Sequence, residues 1–319
     1  MDSQSDIPTL QDIREAAIRV HPFIHRTSVL TCSALNQMVD AELFFKCENF
    51  QKVGAFKIRG ATNAVLLLDH DTATNGVATH SSGNHAAALS LAARTRNISA
   101  YIVMPENSSQ AKKDAVAGYG AEIIFCESTL EARERTLVEV VERTGATFIP
   151  PYNDYRVIAG QATAALELLQ DVPELEILMA PVGGGGLISG TALTVRYVSP
   201  KTRVVAAEPS GADDAYRSFQ KGTLIPSQNP CTVADGLLTS LGDKTFPIIR
   251  DYVNEIVTVT EEGICAAMRH IWERMKVVVE PSAAVPFGSL LENKVDVAGK
   301  RVGIILSGGN VDLGRLPWA

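Results

Sequence analysis

Residues 176–190, "EILMAPVGGGGLISG", join an apolar run to a helical pattern through four consecutive glycines. The apolar run predicts a buried strand at 176–183, and the glycines open a helix predicted at 186–197. Glycine N–H groups at a helix N-terminus form a site for a phosphate, because no side chain covers them and the helix dipole favours an anion. A flexible turn is the alternative, but ordering four glycines loses much chain entropy, which favours the phosphate site.

The same alternation of strand and helix extends in both directions along the chain. Near-continuous apolar strands in this order indicate an α/β architecture in which helices flank parallel sheets. The alternation is too long for one small sheet, so we expect two α/β domains with a cleft at the carboxyl ends of their strands. Further strands are predicted at 41–48, 76–82, 99–105, 121–127, 203–209, 255–260 and 301–307, and further helices at 56–68, 84–95, 108–117, 129–144, 156–170, 261–275 and 282–292.

Composition excludes several classes of protein. The chain has 319 residues, of which 46% are hydrophobic and 20% charged, and its net charge is -7. The acidic balance gives no footprint for nucleic acid or for an anionic membrane surface, and no apolar run is long enough to span a membrane. The acidic, polar N-terminus lacks the features of a signal peptide, so a cytoplasmic location is expected. The five scattered cysteines lack metal-binding spacing and are expected to be reduced and mostly buried.

The glycine stretch leaves the identity of the phosphate ligand open. A dinucleotide fingerprint requires a third glycine where this chain has Ser189, but Glu208 lies about 20 residues on, where a ribose-binding acid would be. A Walker A loop is excluded, because no Gly-Lys-Ser/Thr sequence follows.

Two other strand ends carry small polar residues. In "HSSGNHAAALS" (80–90), the loop N–H groups and serine hydroxyls would hold a carboxylate at a helix N-terminus, or Ser82 or Asn84 would be an ordinary N-cap. In "ILSGGNVDL" (305–313), Ser307 leaves the end of an apolar strand, and a simple turn is the alternative.

Acidic residues cluster in "AAEPSGADDAY" (206–216), after another predicted strand. Carboxylates and backbone carbonyls are the oxygen ligands that Mg²⁺ and Ca²⁺ prefer. The alternative is a helix N-terminus at which the acids complement the helix dipole.

A lysine lies between two apolar residues in "GAFKIRG" (54–60), flanked by Phe56 and Ile58. A buried ammonium is unfavourable unless it is paired, so such a lysine has a lowered pKa or takes part in chemistry. The alternative is a surface lysine whose stem lies on apolar residues while its head stays in water.

Together these motifs resemble the fold-type II pyridoxal-phosphate enzymes, in the group of serine racemases and serine/threonine dehydratases. The resemblance covers nearly the whole chain and implies a fold similar to that of the tryptophan synthase β chain. It implies a large cofactor-binding domain, 1–75 and 154–319, interrupted by a small mobile domain, 76–153. The motifs occur in the family's order: "VGAFKIRGA", "THSSGNHAAAL", "VIAGQAT", "PVGGGGLISG", "WERMKVVVEPSAA" and "ILSGGNVDL".

The resemblance assigns Lys57 to the imine with pyridoxal 5'-phosphate, and an apolar surround would favour the neutral amine that this needs. Ser307 would face the pyridine nitrogen without forcing its protonation, which makes the cofactor a more moderate electron sink. The cofactor contacts implied in addition to Lys57 are Phe56, Asn84, Gly183, Gly184, Gly185, Gly186 and Ser307.

The implied reactions are racemisation of serine and its dehydration to pyruvate and ammonia. Lys57 would take the α-proton on one face, and Ser82 would return a proton on the other. Threonine or 3-hydroxyaspartate dehydration and aspartate racemisation are alternatives within the family, and Arg133 and Arg156 would hold a second carboxylate. The implied substrate contacts are Ser81, Ser82, Gly83, His85, Arg133 and Thr239.

Two other functions remain open from the sequence. One is a β-replacement synthase of the same fold. The other is a nucleotide-binding regulatory protein that uses the glycine stretch and Glu208.

The family also implies further ligands and a partner. Glu208, the Ala212 carbonyl and Asp214 match a Mg²⁺ or Ca²⁺ position, with Mn²⁺ as a further candidate. The expected assembly is a homodimer, with ATP as an activator, although Val53 replaces a hydroxyl residue of close relatives. The residues that match the nucleotide site are Lys52, Tyr119, Arg274 and Asn310.

Overall fold

The computed structural model describes residues 7–318. The helices are α1 (Leu10–Val20), α2 (Ser33–Val39), α3 (Lys57–Leu66), α4 (His70–Thr74), α5 (Asn84–Arg96), α6 (Gln110–Gly118), α7 (Leu130–Thr144), α8 (Tyr155–Asp171), α9 (Gly186–Val198), α10 (Asp214–Lys221), α11 (Thr245–Tyr252), α12 (Glu261–His270) and α13 (Pro281–Leu291). The strands are β1 (Val29–Leu30), β2 (Glu42–Cys47), β3 (Val77–His80), β4 (Ala100–Pro105), β5 (Glu122–Cys126), β6 (Thr147–Phe148), β7 (Ile177–Pro181), β8 (Arg203–Pro209), β9 (Glu255–Val259) and β10 (Arg301–Leu306).

The larger sheet has six strands in the order β1-β2-β10-β7-β8-β9, and only β1 runs antiparallel to its neighbour. β10, the last strand in sequence, lies between β2 and β7, so that Ile304 pairs with both Phe45 and Met179. Because these strands are parallel, their carboxyl ends meet at one edge. Ser307 and the glycine stretch therefore leave the sheet on the same side.

The smaller sheet has four parallel strands in the order β5-β4-β3-β6, all drawn from residues 77–148. Its helix α5 is rich in alanine and packs closely against α3, where Ala61 and Ala64 share an apolar cluster with Ala88 and Leu89. The two sheets confirm the predicted α/β class with flanked parallel sheets. α3 contacts α5 of the smaller sheet and α8 of the larger part of the chain.

A buried ionic network fixes the start of α3. The Arg59 guanidinium donates to both oxygens of Glu48, at 2.7 and 2.8 Å, and to both oxygens of Glu167, at 2.9 and 2.8 Å. Lys46 donates to Glu167 at 2.7 Å, so two cations balance two carboxylates away from water. Residues from β2, α3 and α8 are thereby held together two positions from Lys57.

Some local structure departs from the sequence predictions. α1, α2, α4, α10, α11, β1 and β6 were not predicted, although α1 begins with a capping box formed by Thr9 and Asp12. The expectation of mostly buried cysteines is wrong, because Cys231 is exposed and only Cys47 and Cys126 are buried. Over residues 7–318, no helix combines the length and apolar content needed to cross a bilayer.

Candidate active site

Lys57 is the first residue of α3, where the preceding chain is tied to the end of β10. The Phe56 N–H donates to the Ser307 carbonyl at 3.0 Å, which holds the motif next to a buried serine. The Lys57 ammonium Nζ donates to the Pro151 carbonyl at 2.8 Å. Burial lowers the pKa of Lys57 to about 8, against the opposing charge of Glu280. A substantial fraction of the amine is therefore neutral near physiological pH, as a nucleophile requires.

The glycine loop, Gly183–Gly186, is buried and packed on several sides. A Cβ on Gly184 would lie 2.2 Å from the Tyr152 ring, and one on Gly183 would lie 2.8 Å from the Leu237 Cα. Gly185 has φ +89°, a conformation that favours glycine. The Thr245 hydroxyl donates to the Gly184 carbonyl at 2.9 Å. The loop is thus a fixed cradle at the N-terminus of α9, where N–H groups are available to an anion.

The serine loop, Ser81–Gly83, joins β3 to α5 and is packed less tightly. The Ser81 N–H donates to the Val103 carbonyl at 3.1 Å, and the Ser81 hydroxyl accepts from the Gly83 N–H at 3.3 Å. All three residues are partly exposed, and a Cβ on Gly83 would meet nothing within 4 Å. Space for a ligand therefore lies beside these hydroxyls and N–H groups.

Glu280 joins the site, although no sequence motif predicts it there. Its two oxygens accept from the Asn84 amide at 3.0 and 3.1 Å, and Asn84 Oδ1 accepts from the Asn310 amide at 2.8 Å. Burial raises the pKa of Glu280 to about 7. Its sequence context, an acid between the apolar run "VVV" and Pro281, indicates only the start of α13.

These features match a known family. A family model described as "Pyridoxal-phosphate dependent enzyme" matches residues 20–308. The chain belongs to this family. Over 312 residues the enzyme is 53% identical to a β-hydroxyaspartate dehydratase of Paracoccus denitrificans, covering 98% of this chain and 99% of that protein.

Serine racemases are also similar to the enzyme. A serine racemase of Dictyostelium discoideum is 48% identical over 315 residues, covering 97% of this chain and 96% of that protein. The structure of maize serine racemase matches with a TM-score of 0.93 and 46% identity, covering 96% of this chain and 94% of that one.

The residues present fit pyridoxal phosphate. A half-buried amine with a lowered pKa suits the aldehyde, and the side-chain-free glycine loop suits the phosphate. Ser307, which is 2% exposed, lies at the end of β10 beside the Lys57 motif. Asn84 would reach the cofactor from the start of α5, with its amide held by Glu280.

The candidate substrate residues lie in different environments. His85 is buried, with Nε2 2.9 Å from the Ile149 carbonyl, and burial together with the Lys57 charge lowers the pKa of His85 to about 3. It is therefore neutral at physiological pH. Thr239 is exposed, and its side chain lies close to the Tyr152 hydroxyl. Burial raises the pKa of Tyr152, and the contact with Thr239 opposes part of that rise.

The two candidate arginines differ in whether a carboxylate already neutralises their charge. Arg156 is paired with Asp154 at 2.6 Å. Arg133 donates to the Thr129 carbonyl at 3.3 Å, and its charge helps burial lower the pKa of His80, which stacks on Phe148 beside the serine loop. Arg133 is therefore the better candidate for a second carboxylate.

The candidate cation site contains two buried carboxylates. Glu208 accepts from the N–H groups of Ala215 and Tyr216 at 2.9 and 2.8 Å, and burial raises the pKa of Glu208 to about 9. Neither oxygen of buried Asp214 makes a well-formed hydrogen bond, although the Ser227 hydroxyl and the Leu241 N–H lie close enough to oppose the rise that burial causes in its pKa. Asp214 Oδ1 and Oδ2 with the Ala212 carbonyl fit a hard cation. Over the described chain, no cluster of three His, Cys, Asp or Glu side chains is placed to hold a metal.

The predicted nucleotide residues are only partly brought together. The Asn310 amide donates to the Val53 carbonyl at 2.7 Å, next to Lys52. Tyr119 instead packs against Arg94, with 5.3 Å from the guanidinium carbon to the ring centre, and Arg274 is exposed after α12. Val53 has φ +58°, a strained conformation for a β-branched residue.

Proposed function

We propose that this enzyme racemises serine and dehydrates it to pyruvate and ammonia. The observation that carries the proposal is the Lys57 amine at the head of α3, held by the Pro151 carbonyl next to the residue that packs on the glycine loop. The similarity to serine racemases over nearly the whole chain supports it. Pyridoxal phosphate, when bound, supplies the electron sink that acidifies the α-hydrogen of the amino acid.

The chain's own groups would divide the work between two faces of the substrate. The serine loop and the N-terminus of α5 bind the substrate carboxylate. Lys57 Nζ removes the α-proton, and Ser82 Oγ delivers a proton on the other face. Neutral His85 adds no positive charge to the site. Its hydrogen bond to the Ile149 carbonyl fixes the orientation of the imidazole ring.

The test is chiral analysis of the products from L-serine, combined with a pyruvate assay. Ser82→Ala is expected to reduce D-serine formation by about 10²-fold or more and to keep pyruvate formation within a few-fold. Equal loss of both products would contradict the two-face assignment. An enzyme that forms neither product would overturn the proposed function.

A second candidate function is dehydration of 3-hydroxyaspartate. It is supported by Arg133 beside the serine loop and by the similarity to a β-hydroxyaspartate dehydratase. Arg133→Gln is expected to raise KM for 3-hydroxyaspartate by about tenfold and to leave KM for L-serine nearly unchanged, because only the first substrate has a second carboxylate. Arg135→Gln, on an exposed neighbour, is the matched control. A parallel change for both substrates would exclude this role.

We also propose that Glu208, Ala212 and Asp214 bind Mg²⁺ or Ca²⁺, with Mn²⁺ as a further candidate. The buried Asp214 oxygens, neither of which makes a well-formed hydrogen bond, support this. Added Ca²⁺ is expected to raise the Tm of the wild-type protein but not of Asp214→Asn, because binding to the folded state alone stabilises it. Asp213→Asn is the control, since Asp213 is paired with Arg217.

We further propose that the enzyme is a cytoplasmic homodimer and that residues 76–153 move against the rest of the chain. ATP would activate it at a site formed by Lys52, Tyr119, Arg274 and Asn310. The separate four-stranded sheet at 77–148 supports the domain division. Sedimentation measurements with and without ATP test the assembly.

A further inference from the structure

Tyr152 covers one side of the glycine loop. Its ring carbons lie 2.2 to 2.4 Å from the position that a Cβ on Gly184 would occupy, and its own Cβ lies 2.9 Å from that position on Gly186. The ring therefore fills the space that a side chain would take at Gly184, and the Cβ and backbone of Tyr152 fill that space at Gly186. The glycines at 184 and 186 are required by this packing as well as by access to a phosphate.

The residues on either side of Tyr152 contact two other parts of the site. The Pro151 carbonyl accepts from Lys57 Nζ at 2.8 Å. The Asn153 amide donates to Asp243 at 2.7 Å and accepts from the Lys244 N–H at 2.9 Å. Residues 151–153 thus connect the reactive amine, the glycine loop and the chain that precedes α11.

A second segment also holds the glycine loop. Thr245, at the start of α11, donates to the Gly184 carbonyl at 2.9 Å, and its Cβ lies 2.9 Å from where a Cβ on Gly185 would be. Residues 151–153 and 242–245 are joined through Asn153. The two segments therefore enclose the loop and limit the freedom of its backbone.

We propose that Tyr152 is a positioning residue for the cofactor phosphate. A glycine loop has more backbone freedom than any other, so its N–H groups converge on one anion only when packing fixes them. The Tyr152 ring supplies this packing from within the protein, which reduces the ordering that phosphate binding requires. The Pro151 carbonyl holds the Lys57 amine on the same segment, so the phosphate and aldehyde ends of the cofactor are positioned together.

This inference rests on the proposed cofactor site, but not on which amino acid reacts there. Equilibrium titration of the cofactor-free protein with pyridoxal phosphate, followed by visible absorbance, measures the dissociation constant. Tyr152→Ala is expected to raise it by about tenfold or more, and Tyr152→Phe, which keeps the ring, by less than about threefold. Tyr152→Leu replaces Tyr152→Ala if the latter does not fold.

The second arm uses the predicted clash at Gly184. Gly184→Ala is expected to weaken cofactor binding strongly, because its methyl group would overlap the Tyr152 ring. Tyr152→Ala in the same chain is expected to restore at least about threefold of that loss, since the overlap is removed. The ³¹P resonance of the bound phosphate should be broader or shifted in Tyr152→Ala, which a general loss of stability would not produce.

Two results would overturn the inference. One is a Tyr152→Ala protein with wild-type affinity and an unchanged ³¹P resonance. The other is a double variant that binds no better than Gly184→Ala alone. A wild-type chain whose absorbance never changes with the cofactor would instead remove the site itself, and with it the proposed function.

Discussion

The glycine loop and the serine loop occupy equivalent places, each between a parallel strand and the helix that follows it. Gly183–Gly186 is buried, and atoms of neighbouring residues meet every added Cβ at 2.9 Å or less. Ser81–Gly83 is partly exposed, and an added Cβ at Gly83 meets nothing within 4 Å. Two similar strand-to-helix connections thus differ in packing: the glycine loop is tightly packed and the serine loop is loosely packed.

The difference corresponds to what each loop would hold. A cofactor phosphate stays in place through every turnover, so a fixed cradle suits it. Substrate and product exchange in every cycle, and a loosely packed loop can close and reopen at small expense of free energy. The sequence places small residues in both loops, and only the neighbouring elements make one rigid.

The largest expected effect comes from replacing Lys57, which would bind the cofactor and act on the substrate. Lys57→Ala should reduce racemisation and elimination together by about 10³-fold or more and abolish the visible absorbance of bound cofactor. Lys201→Ala, on an exposed lysine, is the control. Measurable turnover with unchanged absorbance in Lys57→Ala would show that another group holds the cofactor.

The comparison itself is tested by one alanine in each loop. Gly185→Ala should lower the free energy of unfolding by about 2–4 kcal/mol, because the site has φ +89° and its Cβ would lie 2.7 Å from Ile249. Gly83→Ala should change it by less than about 0.5 kcal/mol. Urea unfolding of both variants measures the difference, and similar values for the two would show that the loops are equally packed.

The smallest effect concerns pH. Because burial lowers the pKa of Lys57 to about 8, the neutral amine increases as pH rises through that value. The rate at which cofactor-free protein takes up pyridoxal phosphate should rise about tenfold per pH unit below it and level off above. The contribution of Lys57 to folding stability should also increase with pH, between about 8 and the ordinary lysine value.

Glu280→Gln sharpens this measurement. Its carboxylate raises the pKa of Lys57, so removing the charge should move the rise in uptake rate to lower pH. The glutamine amide keeps a hydrogen-bonding group beside Asn84. Glu262→Gln, on an exposed acid, should leave the pH dependence of the uptake rate unchanged. If the uptake rate of Glu280→Gln instead rises at higher pH, the Glu280 charge does not raise the pKa of Lys57.

The sequence predicted the strand ends and loops because these depend on local patterns. The apolar run before Gly183 and the alanines after Asn84 each specify an element within a few residues. Contacts between distant residues were not predictable in this way. Tyr152 lies against Gly184 only because two separate strand-to-helix connections meet, and no spacing in the chain encodes that distance.

Glu280 and the buried network show the same limit. An acid before a proline is typical of a helix start, so the sequence alone gave no reason to place Glu280 beside Asn84. Arg59 lies two residues after Lys57, yet its partner Glu48 directly follows β2 and its partner Glu167 comes from α8. Long-range pairing of this kind depends on the tertiary fold.

The position of β10 has a consequence for how the protein is made. β2 and β7 leave the ribosome long before residues 301–306, which later separate them. Until then, two apolar strands present open edges, the form most prone to pairing with other chains. Translation that stops before residue 301 would therefore release an aggregation-prone fragment, and chaperone dependence during synthesis should fall abruptly once the last strand emerges.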